Sequence, residues 1–261
     1  MRWTSCVPAA TACPLPDKRD TAVMVSATFR FHEELNGFLP RARRDCAFVA
    51  PCARAATAKH MIEALGVPHT ELGRLDVNGA PGQLDRQLQE GDDVAVYPQL
   101  DRAQPGIRFV ADAHLGGLAR LLRMAGFDTR YDNGYRDEEI VAIAGLEART
   151  VLTRDRELLK RRELEHGCYL HTIRPEEQLR ELFARLALAP LARPFTLCLH
   201  CNLPLRPVGK EEVFEHLPAS VREQHAEFTR CDACARVFWK GSHHKRMQAM
   251  LAGAIGLEST A

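Results

Sequence analysis

The stretch that decides the architecture is RFVADAHLGGLARLLRMAGFDTRYDNGYRDEEIVAIAGLEARTVLTRD, residues 108–155. A short apolar run at 109–111 ends in Asp112. Leu115, Leu118, Ala119 and Leu122 then recur at helical spacing until Gly126 stops them. A strand is predicted at 129–131, a helix over 137–146 and a strand at 150–153, after which Asp155 opens another helix. Further out come a strand at 168–170 and a helix opened by Pro175, where the missing N–H costs nothing. Short strands alternating with helices predict an α/β unit over 107–190, a parallel sheet covered by helices on both faces.

Upstream, Val25, Ala27, Phe29 and Phe31 alternate with Ser26, Thr28 and Arg30, the period of a half-buried strand. Residues 47–49 could supply its hairpin partner. Ala58, Met61, Ile62 and Leu65 mark one helix stripe, stopped by Gly66. Residues 75–77 run into an Asn78-Gly79 turn, and a last strand at 94–97 ends at Pro98. These elements predict a small mixed sheet crossed by one helix over 24–98. Residues 99–106 read as a linker, and 1–23 as a disordered leader without the continuous apolar core of a secretory signal. A third unit spans 195–247, and an Ala-rich tail is expected over 248–261.

The 261 residues are 46% hydrophobic and 26% charged, as in folded proteins, which excludes wholesale disorder. Lys and Arg number 35 against 34 acidic residues, so any contact with nucleic acid must be local. No run of 18 apolar residues occurs, and no membrane partner is expected. Nine cysteines, four of them in two CxxC pairs, suggest a metal site in a reducing cytoplasm rather than a disulfide framework.

The pairs are Cys198–Cys201 and Cys231–Cys234, 29 residues apart. Four thiolates on two tight turns suit a closed, structural Zn²⁺. A thioredoxin-like redox motif is disfavoured because neither pair sits in a strand–helix context. Beyond the second pair, residues 230–246 hold five Arg or Lys and one Asp, interleaved with Phe238 and Trp239. Arg236, Trp239, Lys240, His243, Lys245 and Arg246 are candidate RNA contacts, since cations for phosphates and aromatic faces for bases are what a single strand requires. The alternative is one aromatic filling a small core beneath a solvated basic face.

In the middle unit, Asp112, Asp137 and Asp155 approach one rim of the predicted sheet from distant parts of the chain. Clustered carboxylates suit a hard divalent cation, Mg²⁺ or Mn²⁺, of the kind that activates water at a phosphodiester. Thr153 and Arg154 stand beside Asp155, the first suited to hydrogen-bond a carboxylate or a bound water, the second to meet phosphate. The competing reading is that Asp137 and Asp155 only cap helices. Glu138 and Glu139 suit the dipole of the helix start. No GxGxxG, P-loop, GxSxG or HExxH motif is present; Gly116-Gly117 lacks the P-loop lysine.

Several motifs together resemble a known family. ADAHLGGLARLLRMAGFDTRYDNGYRDEEIVAIA (111–144), RTVLTRDRELLKRR (149–162) and VFWKGSHHKRM (237–247) are similar to the bacterial Mut-seven C-terminal RNase proteins. LGVPHTEL (65–72), VNG (77–79) and GDDVAVYP (91–98) resemble that family's ubiquitin-like, sulfur-carrier-like domain. The resemblance implies a ubiquitin-like β-grasp domain, a PIN-like metal-dependent ribonuclease domain and a zinc ribbon. It also implies RNA as substrate and a protein partner for the ubiquitin-like domain. Asp112, Asp137 and Asp155 match its acidic positions, and Cys198, Cys201, Cys231 and Cys234 its ribbon ligands. Where PIN nucleases carry a fourth carboxylate this chain has His171, with Glu176 and Glu177 further on. The first domain runs on through YPQLD instead of ending in the diglycine of sulfur carriers, which favours docking or substrate positioning. The alternative to a nuclease is a non-catalytic RNA-binding or ribosome-associated adaptor.

Overall fold

The computed structural model describes residues 24–53, 56–99 and 106–255. The expected leader at 1–23 therefore lies outside the described residues. The N-terminal domain is a five-stranded sheet: β1 (Met24–Phe31), β2 (Phe48–Ala53), β3 (Leu72–Val77), β4 (Ala80–Pro81) and β5 (Asp93–Pro98), ordered β2-β1-β5-β3-β4. The central strands β1 and β5 are parallel and the other pairs antiparallel, the mixed sheet of a β-grasp. Helix α1 (Ala58–Ala64) packs Met61 and Ile62 against Phe29, Phe31, Val94 and Val96. The hydroxyl of Thr57 accepts from the N–H of His60 and caps α1. Asn78 and Gly79 both have positive φ, the two-residue turn whose twist matches an antiparallel hairpin.

The second domain alternates strand and helix: β6 (Phe109–Ala111), α2 (Gly116–Met124), β7 (Thr129–Arg130), α3 (Asp137–Glu147), β8 (Thr150–Thr153), α4 (Arg156–Leu159), β9 (Gly167–Tyr169) and α5 (Pro175–Leu186). All four strands are parallel, in the order β7-β6-β8-β9. Phe109, Ala111, Leu152 and Cys168 face α2 and α5, whereas Val110 and Val151 face α3 and α4. Both faces are thus buried, which is why these strands read as short apolar runs. Gly116 and Gly117 are small for packing: a Cβ would meet the Tyr131 hydroxyl at 2.5 Å and the Pro175 ring at 2.5 Å.

The third unit is a small antiparallel sheet, β10 (Arg206–Val208), β11 (Phe228–Arg230) and β12 (Val237–Trp239), with short helices α6 (Lys210–Val213) and α7 (Ala219–Gln224). Its core is Val213, Leu217 and Phe228. The described part of the Ala-rich tail expected from 248 continues a helix. Helix α8 (Ser242–Ile255) returns to the second domain and buries Leu251 and Ala254 in the core that α5 shares. Met247, Met250, Leu251 and Ala254 fall at i, i+3, i+4 and i+7, a helical stripe within the Ala-rich run.

The first two domains are locked together along the β9 edge. Glu71, fully buried, accepts from the Tyr169 N–H at 2.6 Å and pairs with Arg185, which also reaches Glu34 and the carbonyl of Tyr169. His69 Nε2 lies 2.9 Å from the carbonyl of Leu164.

Candidate active site and metal centre

The order of the parallel sheet reverses between β6 and β8, since β6 leads to β7 on one side and β7 returns to β8 on the other. At such a switch point a crevice opens beyond the carboxyl ends of the strands. Asp112 directly follows β6, and its N–H donates to the carbonyl of Leu152 in β8 at 2.9 Å. Thr153, the buried last residue of β8, donates its hydroxyl to Asp112 Oδ2 at 2.7 Å and accepts the N–H of Asp155 at 2.9 Å. One hydroxyl therefore fixes the Asp112 carboxylate and the loop that carries Asp155.

Asp155 caps α4, its Oδ1 accepting from Glu157 N–H at 2.8 Å. That bond occupies one of roughly four acceptor positions on a carboxylate. Asp112 makes no cap bond to the turn it starts. Asp137 is the first residue of α3, where the capping contact falls to Glu139, which accepts from Arg136 N–H at 2.9 Å. Partial burial and the negative charges of Asp155, Asp112 and Glu138 hold the Asp137 carboxyl above the usual aspartate range. The three aspartates thus share one electrostatic field, and a cation would relieve their repulsion. Glu138 lies 3.7 Å from Arg161. Arg154 is exposed at the end of β8.

The position expected for a fourth carboxylate faces the N-terminal domain. His171 packs edge-on against Phe38 and Tyr169, at ring separations of 5.3 and 4.9 Å. A Cβ on Gly37 would come within 3.1 Å of its ring. Arg156, next to Asp155, donates to the carbonyl of Phe38 at 2.9 Å and lies over the Phe38 and Tyr169 rings. Glu176 and Glu177 lie in the first turn of α5. The carboxylate that holds the segment after β9 is instead Glu181, which accepts from the N–H groups of His171 and Thr172.

The four cysteines converge. Their Sγ atoms all lie within 4.8 Å of one another, and they are the one such set of metal-ligating side chains among the described residues. Cys198 Sγ and Cys234 Sγ are 3.7 Å apart, close to the edge of about 3.8 Å expected of a tetrahedron with Zn–S bonds of about 2.3 Å. The two turns have the same form. Asn202 N–H donates to the Cys198 carbonyl at 2.9 Å and Ala235 N–H to that of Cys231 at 2.8 Å, and Asn202 and Ala235 both have positive φ. Burial pushes the Cys201 thiol up to about 12. At Cys234 burial acts the same way but is outweighed by hydrogen bonds from Arg236 N–H and the neighbouring thiols, which bring it to about 7. The donor set fits Zn²⁺ with no open position.

Residues that spacing did not single out tie this centre to the parallel sheet. The buried Arg123 of α2 donates to the carbonyls of Leu199 and His200, and Asn202 Oδ1 accepts the N–H of Thr129 in β7. A polar residue one place after a CxxC pair, where a left-handed backbone favours Asn or Gly, was the available signal for Asn202. Among the candidate RNA contacts, Trp239 is half-buried in β12, and Arg236, Lys240, His243, Lys245 and Arg246 are exposed. Lys240 pairs with Glu227 at 2.8 Å. Phe228 is the aromatic that fills the small core.

Comparison with known proteins places these features in a family. The family model described as the Mut7-C RNAse domain matches residues 107–251, and the one described as Mut7-C ubiquitin matches residues 24–104. No curated protein matches the chain. The solution structure of the Haloferax volcanii HVO 2177 protein aligns over 36% of this chain and 100% of its own, at 14% identity and a TM-score of 0.27. No helix among the described residues is long and apolar enough to cross a membrane. With more than half its length matched by the RNase model and most of the rest by the ubiquitin model, the chain belongs to the Mut7-C RNase family.

Proposed function

We propose that the acidic rim is the catalytic centre of this RNase domain and hydrolyses RNA phosphodiester bonds with Mg²⁺ or Mn²⁺. The observation that carries the reading is the single hydroxyl of Thr153, which binds both Asp112 and the Asp155 loop at the switch point. Asp112, Asp137 and Asp155 would hold the cation, and their oxygen donors suit a hard ion. Such an ion lowers the pKa of a bound water and offsets charge on the phosphate. Thr153 would act as a positioning residue, and Arg154 would meet substrate phosphate. The cysteines would hold a structural Zn²⁺, and the thiol cluster favours a reducing cytoplasm. Arg236, Trp239, Lys240, His243, Lys245 and Arg246 would grasp the strand. The ubiquitin-like domain serves as a wall beside the rim through Phe38, its outer surface left for a protein partner.

The test is cleavage of labelled RNA by wild type and Asp155→Asn, with Mg²⁺, with Mn²⁺ and with divalent ions withheld. Metal-dependent cleavage that falls at least a thousandfold in a variant with unchanged folding supports the reading. Undiminished cleavage by the purified variant overturns it. That outcome would leave the adaptor reading, which the cap bond of Asp155 and the His171 position favour.

A further inference from the structure

Between the segment 195–199, the small sheet and the start of α8 lies a cleft of about 680 Å³. This is within the range of about 300–1,000 Å³ typical of small-ligand pockets. Its walls are largely apolar. Phe195, Leu199, Phe238, Trp239 and Met247 line it, each half-buried, so their faces remain accessible. His244 closes one side with its ring 4.1 Å from that of Phe195. Burial and the nearby charge of Lys240 lower the His244 pKa and keep that ring a neutral aromatic surface.

An apolar cleft alone would suit many partners. The rim narrows the choice. Lys240 and His243 stand at its mouth, and Lys245 and Arg246 continue the basic edge along α8. Lys245, Arg246 and Arg236 are exposed and make no ion pair among the described residues. Lys240 is held by Glu227, itself in the cleft wall. Aromatic walls under a cationic mouth match a polyanion with flat, apolar groups on its backbone. A duplex keeps those groups stacked inside, whereas a single strand can splay them out.

We propose that this cleft receives unpaired bases of single-stranded RNA, stacked on Trp239 while Lys245 and Arg246 take the flanking phosphates. The proposal rests on the RNase reading for the identity of the polymer. It adds a base-binding site that is separate from the acidic rim, so the enzyme would hold its substrate by unpaired nucleotides as well as by charge.

The experiment is fluorescence anisotropy with the full chain, zinc-loaded, without added Mg²⁺ or Mn²⁺. The probes are a labelled single-stranded RNA, the same strand with abasic positions, and its duplex. Wild type should bind the single strand about tenfold or more tightly than either of the others, as expected for one or two stacked bases. Trp239→Ala should erase that difference, Trp239→Phe should retain most of it, and both should keep their zinc. Equal affinity for intact and abasic strands in the wild type overturns the proposal, and that comparison needs no variant to fold. So does base-dependent binding that survives Trp239→Ala in a folded protein. Cleavage without base dependence leaves the RNase reading standing and removes the cleft. Base-dependent binding without cleavage does the reverse.

Discussion

Two sets of ionisable side chains stand out among the described residues, and they are organised by opposite means. The four cysteines lie within 4.8 Å of one another on two turns of identical form. The three aspartates come from different elements, and partial burial and the charges of its neighbours hold Asp137 above the usual range. Burial keeps the Cys201 thiol protonated while the hydrogen bonds it and its neighbours share bring Cys234 to about 7, so short loops can gather the four sulfurs before a metal arrives. Carboxylates are charged at neutral pH and repel, so the scaffold can bring them to one rim but leaves their final approach to a cation. The cysteine set thus suits a structural ion, and the proposed acidic rim would gain most from a cation that relieves the repulsion felt at Asp137.

The sharpest way to break this contrast is Cys231→Ser. It should lose zinc and unfold the C-terminal module, since structural zinc contributes about 10–16 kcal/mol in small zinc peptides. Because Arg123 and Asn202 bind that module to the parallel sheet, calorimetry should show the RNase domain melting at lower temperature as well. An unchanged main transition would mean that the two metal regions are independent. Thr153→Val tests the other side. Removing the hydroxyl should reduce cleavage by about 10–100-fold, as for other partners of metal ligands, and cost about 1–3 kcal/mol through the unsatisfied groups left behind. Thr153→Ser should restore both; full activity in the valine variant would take the hydroxyl out of the mechanism.

On stability, Asp137→Asn should have the smallest effect and the most telling sign. With its folded pKa above the unfolded one, native Asp137 binds more protons than the unfolded chain. Stability is thus lost as pH rises from the ordinary aspartate value through the raised one. The variant should remove that decline and stabilise the metal-free protein at neutral pH by less than about 1 kcal/mol, since the group is largely solvent-screened. Melting temperatures recorded from pH 3 to 7 would show it, and a destabilised variant would contradict the picture of stored repulsion.

What the sequence made legible was local. Alternation at Val25, Ala27, Phe29 and Phe31, the Asn78-Gly79 turn and the CxxC spacing each act within a few residues, and each element formed where its pattern lay. Asp112 was readable because an apolar strand ends in it. Cap assignment was legible at Asp155, which caps α4, but not at Asp137, which stands one place inside its helix, so that a shift of one residue passed the contact to Glu139. The Ala-rich run after 247 hid a helix because its stripe becomes apolar burial only once α5 is alongside. The packing of His171 on Phe38 joins residues 133 positions apart by number, and nothing local announces it.

The buried Glu71 covers the outer N–H of β9 as well as pairing with Arg185. A shortened chain starting at the linker would leave that strand with a raw edge and a guanidinium stripped of its counter-ions, the condition under which sheets recruit neighbouring molecules. Removing the N-terminal domain should therefore promote self-association of the nuclease half, and light scattering of the shortened chain would measure it.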